Sequence, residues 1–142
     1  MIGLDCNILV QLAVADHPAN ARTIALVESE IIAGEMLVFP ALVANEFLHV
    51  VTDQRRFSPP LTMDEAIEWL EEFLAYPSVR MIQPTDSSFT QGMVWIRQFK
   101  LGRKRILDTH FAAILYANGV RRLMTSNPAD FTIFTVLEFV TP

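Results

Sequence analysis

The chain has 142 residues, of which 51% are hydrophobic and 19% charged, with a formal charge of −5 at neutral pH. This length makes one domain, residues 1–142, and this apolar fraction supplies a sizeable core and excludes intrinsic disorder. Neither a membrane span nor a secretory leader is expected, which points to the cytoplasm: uncharged stretches such as Met36–Asn45 and Phe111–Val120 run ten residues, a spanning helix needs about 20, and Asp5 interrupts any leader.

Met1–Leu4 reads as a first strand that enters the core at once. Pro18–Ala33 reads as a helix, with Asp16 in the cap region, Pro18 in the first turn and Gly34 as its stop. Met36–Phe39 is a short strand ended by Pro40, and Ala41–Thr52 a helix with Leu42, Val43, Phe47, Val50 and Val51 on its apolar side. Ser58-Pro59-Pro60 is a loop, and Thr62 with Glu65 forms a capping box that opens a helix to about Leu74. Val79–Ile82 is a strand, Thr85 or Asp86 caps a helix carrying Phe89, Met93, Ile96 and Phe99, and Leu107–Asn118 is a helix stopped by Gly119. Arg122–Thr125 and Val136–Phe139 are the last strands. Such alternation implies an α/β sandwich with a mostly parallel sheet, whose reactive groups gather beyond the carboxyl ends of the strands.

Four acids stand in apolar surroundings rather than in charged runs. Asp5 ends the first strand, Glu46 lies mid-helix with Leu42 one turn before and Val50 one turn after, Asp108 opens a helix, and Asp130 follows the strand ending at Thr125. Each has an ordinary alternative, such as helix-end stabilisation for Asp108 or a turn for Asp130. A carboxylate in a dry setting costs several kcal/mol or more, roughly, unless a cation offsets it. No Lys or Arg lies inside these apolar segments, so convergence on a hard divalent cation is the economical reading, and oxygen-only ligation selects magnesium or manganese. The lone cysteine, Cys6, excludes a disulfide and a thiolate zinc site. Five of the eleven basic residues lie between Arg97 and Arg105, a local positive surface on a negative body. His17, His49 and His110 read as surface or supporting residues, which disfavours histidine-base chemistry.

The whole chain resembles a PIN-domain ribonuclease of the VapC toxin type. The opening Asp5-Cys6-Asn7-Ile8-Leu9-Val10 is similar to the family's Asp-Thr-Asn-hydrophobic start, with Cys6 in place of the usual threonine. Glu46 matches the second acid, Asp108 in Arg105-Ile106-Leu107-Asp108-Thr109 the third, and Leu123 to Phe131 the fourth motif. Asn127 stands where many members carry the fourth aspartate, which leaves Asn127 and Asp130 as alternatives for completing the site.

The resemblance implies a three-layer α/β/α sandwich with about five strands and metal-dependent hydrolysis of RNA. In that reading Asp5, Glu46, Asp108 and Asp130 are the catalytic and metal-binding acids, holding Mg²⁺ or Mn²⁺, and Asp5 or Glu46 orients the attacking water. Asn7, Thr125, Ser126 and Asn127 position waters or a phosphate oxygen, and Arg103, Lys104 and Arg105 steer the RNA backbone. A cognate antitoxin protein and a homodimer are implied by the resemblance alone, with Trp69 and Phe73 or the Phe89–Phe99 helix as contact regions. Two rivals stand beside it. A non-catalytic RNA-binding domain would account for Asn127 as a degraded site. A phosphotransfer receiver would need a late-strand lysine, and no lysine follows Thr125.

Overall fold

The computed structural model describes residues 1–142 in full. Five strands alternate with six helices: β1 (Ile2–Leu4), α1 (Cys6–Ala13), α2 (Asn20–Ile32), β2 (Leu37–Pro40), α3 (Ala41–Val51), α4 (Met63–Leu74), β3 (Val79–Ile82), α5 (Asp86–Gln98), α6 (Ile106–Ala117), β4 (Arg122–Met124) and β5 (Glu138–Val140). The sheet has the order β3-β2-β1-β4-β5, and every pairing is parallel. This is not the 2-1-3-4-5 order of the doubly wound receiver fold.

Burial explains the order. β1 and β2 are buried along their whole length, whereas the edge strands expose Arg80, Met81 and Glu138. Central strands covered on both faces must be apolar throughout. Helix α1 packs against α2 and α3, α3 packs against α4, and α5 packs on α6. Right-handed crossovers place the first group on one face of the sheet and the second on the other, giving the expected three layers. Gly3 shows how close α6 lies: a Cβ there would stand 2.6 Å from Leu115 Cδ2. Phe39 stacks on Phe73 and Phe73 on Trp69, which meets Phe47 at a tilt, with centroid separations of 5.0 to 6.2 Å, and this ties α4 to β2 and α3. No helix is long and apolar enough to cross a membrane.

Local chemistry sets most boundaries. The capping box of Thr62 and Glu65 forms as expected, and Thr85 makes a second one with Ser88. Gly34 and Gly119 adopt φ of 86° and 76° and end α2 and α6. Three expectations are corrected. A helix, α1, follows Asp5 directly, because Asp5 itself is its cap. Helix α2 starts at Asn20 rather than Pro18, since the His17 ring and carbonyl accept the Ala19 and Asn20 N–H groups and hold the chain in a turn before it. The last strand is Glu138–Val140, because Phe134 and Leu137 are taken into the core by a turn ahead of it.

Candidate active site

Asp5 is the first residue past the carboxyl end of β1. Its N–H still donates to the Met124 carbonyl of β4 (3.0 Å), while its Oδ1 caps α1 by accepting the Cys6 N–H (2.7 Å). Its Oδ2 accepts the buried Thr125 hydroxyl (2.6 Å) and the Asn7 amide (2.6 Å). The same threonine oxygen accepts from the Asn7 amide (3.2 Å) and the Asn127 N–H (3.0 Å), and Asn7 Oδ1 accepts the Ser126 N–H (3.0 Å). Residues 120 positions apart are thus locked at the ends of two adjacent strands.

The other acids reach the same place from three directions. Glu46 projects from mid-α3, Asp108 from the first turn of α6, and Asp130 from the single 3₁₀ turn Pro128–Asp130 after β4. All four acids line one cavity of about 470 Å³, together with Asn7 and Asn127. Thr125 lies behind Asp5, and Ser126 stands exposed at the edge. Glu46 sits between Leu42 and Val50 as expected, yet it is exposed rather than covered, since those two neighbours are the cavity wall and not its lid.

Burial and mutual repulsion leave their mark on the acids. Desolvation pushes the Asp5 carboxyl above its ordinary range, and the Asp130 charge adds to this, against the hydrogen bonds from Thr125, Cys6 and Asn7. Glu46 is raised by desolvation, then by Asp5 and Asp108. Asp108 is raised by desolvation, opposed by Arg105, and raised again by Asp130 and Asp5.

Arg105 departs from its expected role. It turns inward, with Nε 3.8 Å from Asp108 and Nη1 3.5 Å from Asp130, and Nη2 donates to the Asp130 carbonyl. The expectation that these acids lack a cationic partner therefore fails for two of them. Arg105 lies three residues before Asp108, one helical turn away, so the pairing was open to inference. Its Nε is buried without a hydrogen-bond acceptor. Arg103 and Lys104 stay exposed. Asn127 donates its amide to Asp130, so the two alternatives for the fourth acidic position act as a pair.

Among the other side chains lining the cavity, Gln11, Arg56 and Phe57 were not expected at the site, and His17 was expected only as a surface or supporting residue. Gln11 is buried and donates to the Ser126 hydroxyl (2.7 Å) while accepting from Thr23 (2.7 Å). It lies four residues after Asn7, on the same face of α1, and that spacing was the available signal.

The donor set lining the cavity is four carboxylates and the amides of Asn7, Gln11 and Asn127, with Cys6 held as a neutral thiol by burial and nearby acids. Such oxygen donors suit a hard divalent cation. The acids surround a shared space without closing into a group of three or more at ligand spacing. With Arg105 the only cation paired to them, the unbalanced negative charge fits a metal ion in donor type and sign.

Comparison with known proteins agrees with this geometry. The family model described as PIN domain matches residues 2–132. VapC ribonuclease Mb2897 of Mycobacterium bovis is 27% identical over 142 residues, spanning 92% of this chain and 97% of its own length. Among solved structures, Mycobacterium tuberculosis VapC20, a sarcin-ricin loop cleaving toxin, superposes with a TM-score of 0.66 at 15% identity over 87% of each chain. A toxin–antitoxin complex from Klebsiella pneumoniae gives 0.60 at 14% identity, over 100% of this chain and 98% of that one.

Proposed function

This chain belongs to the PIN-domain family, and on that footing we propose that it is a divalent-cation-dependent endoribonuclease, the toxin of a toxin–antitoxin pair, which cuts structured cellular RNA in the cytoplasm and thereby inhibits translation. One observation carries the reading: carboxylates from four separate segments line a single cavity beyond the carboxyl ends of parallel strands. The ribonuclease name of the 27%-identical relative supports the substrate, and the VapC20 name supports a structured RNA target.

Asp5, Asp108, Glu46 and Asp130 would hold Mg²⁺ or Mn²⁺. When bound, such an ion lowers the pKa of water and offsets charge on the attacked phosphate. The protein's own groups do the rest. Thr125 and Asn7 fix the Asp5 rotamer, so its carboxylate meets the substrate without reorganising. Glu46, open to solvent, is placed to orient the attacking water and take its proton. Exposed Arg103 and Lys104 attract the RNA backbone.

An antitoxin segment would lie in the apolar groove between α2 and α4, lined by Ile24, Val27, Trp69, Phe73 and Tyr76. A homodimer would form through exposed Phe89, Met93 and Val94 of α5. Purified protein with Mg²⁺ should cut cellular RNA, EDTA should stop it, and Asp5→Ala or Asp108→Ala should abolish it. Cleavage that persists in both variants defeats the proposal.

A further inference from the structure

A second cavity of about 620 Å³ opens beside the acid cavity, and His17, Arg56 and Phe57 line both. Its size falls within the roughly 300–1,000 Å³ of small-ligand sites. Its floor includes Val51 and Leu61, and Phe57 packs half-buried on the core next to them. Asp16 is the only acid in its wall. The shared partition is chemically distinct from everything around it. Arg56 is exposed, 3.9 Å from Asp53, and its charge is felt by Glu46 across the partition. The His17 Nδ1 accepts the Ala19 N–H (3.1 Å), which leaves Nε2 as the ring's hydrogen-bond donor.

We propose that this second cavity is a nucleotide subsite, which seats one unstacked base of single-stranded RNA against Phe57 while Arg56 and His17 grip the phosphate leading into the acid cavity. The inference rests on the ribonuclease reading and names where the substrate beside the cut lies. Its arguments are continuity and complementarity. The two cavities share one wall, that wall carries a cation, a fixed donor and an aromatic side chain, and single-stranded RNA is recognised by this combination. A duplex would keep its bases stacked and leave the apolar floor bare.

The test uses the full-length protein in EDTA, so that binding is read without cleavage. Fluorescence anisotropy with a fluorescein-labelled single-stranded RNA decamer should give a Kd that rises roughly fivefold or more in Phe57→Leu and in Arg56→Ala. Phe57→Leu retains apolar volume, Arg56 is exposed, and far-UV circular dichroism confirms that both fold. Arg80→Ala, an exposed change on β3, should leave the Kd unchanged. Adenosine monophosphate should shift the amide signals of residues 13–18 and 51–61 in ¹⁵N spectra, and inorganic phosphate should not shift those of residues 51 and 61. Unchanged affinity in both variants overturns the subsite while Mg²⁺-dependent cleavage by the wild type leaves the ribonuclease reading intact. A wild type that binds the decamer but cuts no RNA with Mg²⁺ or Mn²⁺ overturns that reading, and the subsite's role with it.

Discussion

Gln11→Leu isolates the polar network that holds the loop after β4. The substitution keeps volume and helix propensity but removes two hydrogen bonds of 2.7 Å, one to Ser126 and one from Thr23. Ser126 is exposed, so its hydroxyl turns to water at little cost. Thr23 is fully buried, and its hydroxyl donor loses its partner. An orphaned buried donor costs about 1–3 kcal/mol, and back-bonding to the Ala19 carbonyl four residues earlier sets the low end. For a domain of this size the melting temperature should fall by roughly 3–10 °C. Thr23→Val removes the orphan, so the Gln11→Leu/Thr23→Val protein should recover to within about 1 kcal/mol of the wild type, well short of additivity. Thermal melts of all four proteins by circular dichroism measure the coupling. A Gln11→Leu protein that melts with the wild type, or strict additivity in the double variant, refutes the reasoning.

Glu46→Gln should raise metal-free stability and weaken divalent-cation binding, because it removes one of three repelling carboxylates. The folded-state pKa of Glu46 lies above its ordinary value of 4.5, so the wild type loses stability as pH rises through that raised pKa. The gain from glutamine should therefore be absent well below pH 4.5 and complete near neutrality, where it amounts to ~0.2–1 kcal/mol given the exposure of this side chain; melts across pH in EDTA check this, and a gain confined to acid pH contradicts it. Gly3→Ala should cost ~1–3 kcal/mol, since its Cβ would meet Leu115 at 2.6 Å in a fully buried contact; an unchanged urea midpoint contradicts the close packing of α6. Thr125→Val should drive the Asp5 pKa of the metal-free protein further up by removing a donor to its charged form, read as an upward shift of the Asp5 carboxyl ¹³C titration in EDTA. An unmoved titration contradicts the role given to the Thr125 hydroxyl.

Much of the fold was legible because local chemistry decides it. The apolar run at β2, the Thr62–Glu65 box and the turn glycines Gly34 and Gly119 each carry their own cause. Helix α1 was hidden because Asp5 has two jobs, ending a strand and capping a helix, and the strand accounted for it alone. The four acids were legible as charges in apolar settings. Their real surroundings were only partly so: spacing offered Arg105 to Asp108, but not its reach to Asp130, 25 positions on, nor the open wall at which Glu46 stands. His17, Arg56 and Phe57 belong to loops brought beside the acids only by the packing of α1 on α3, which no local pattern encodes.

The proposed role of these distant carboxylates is to bind a divalent cation together. Titrating Mn²⁺ into the wild type, Asp5→Asn and Asp108→Asn, followed by electron paramagnetic resonance of the free ion, tests it most directly. The account predicts saturable uptake by the wild type that weakens at least tenfold in each variant; equal uptake by all three proteins would contradict it.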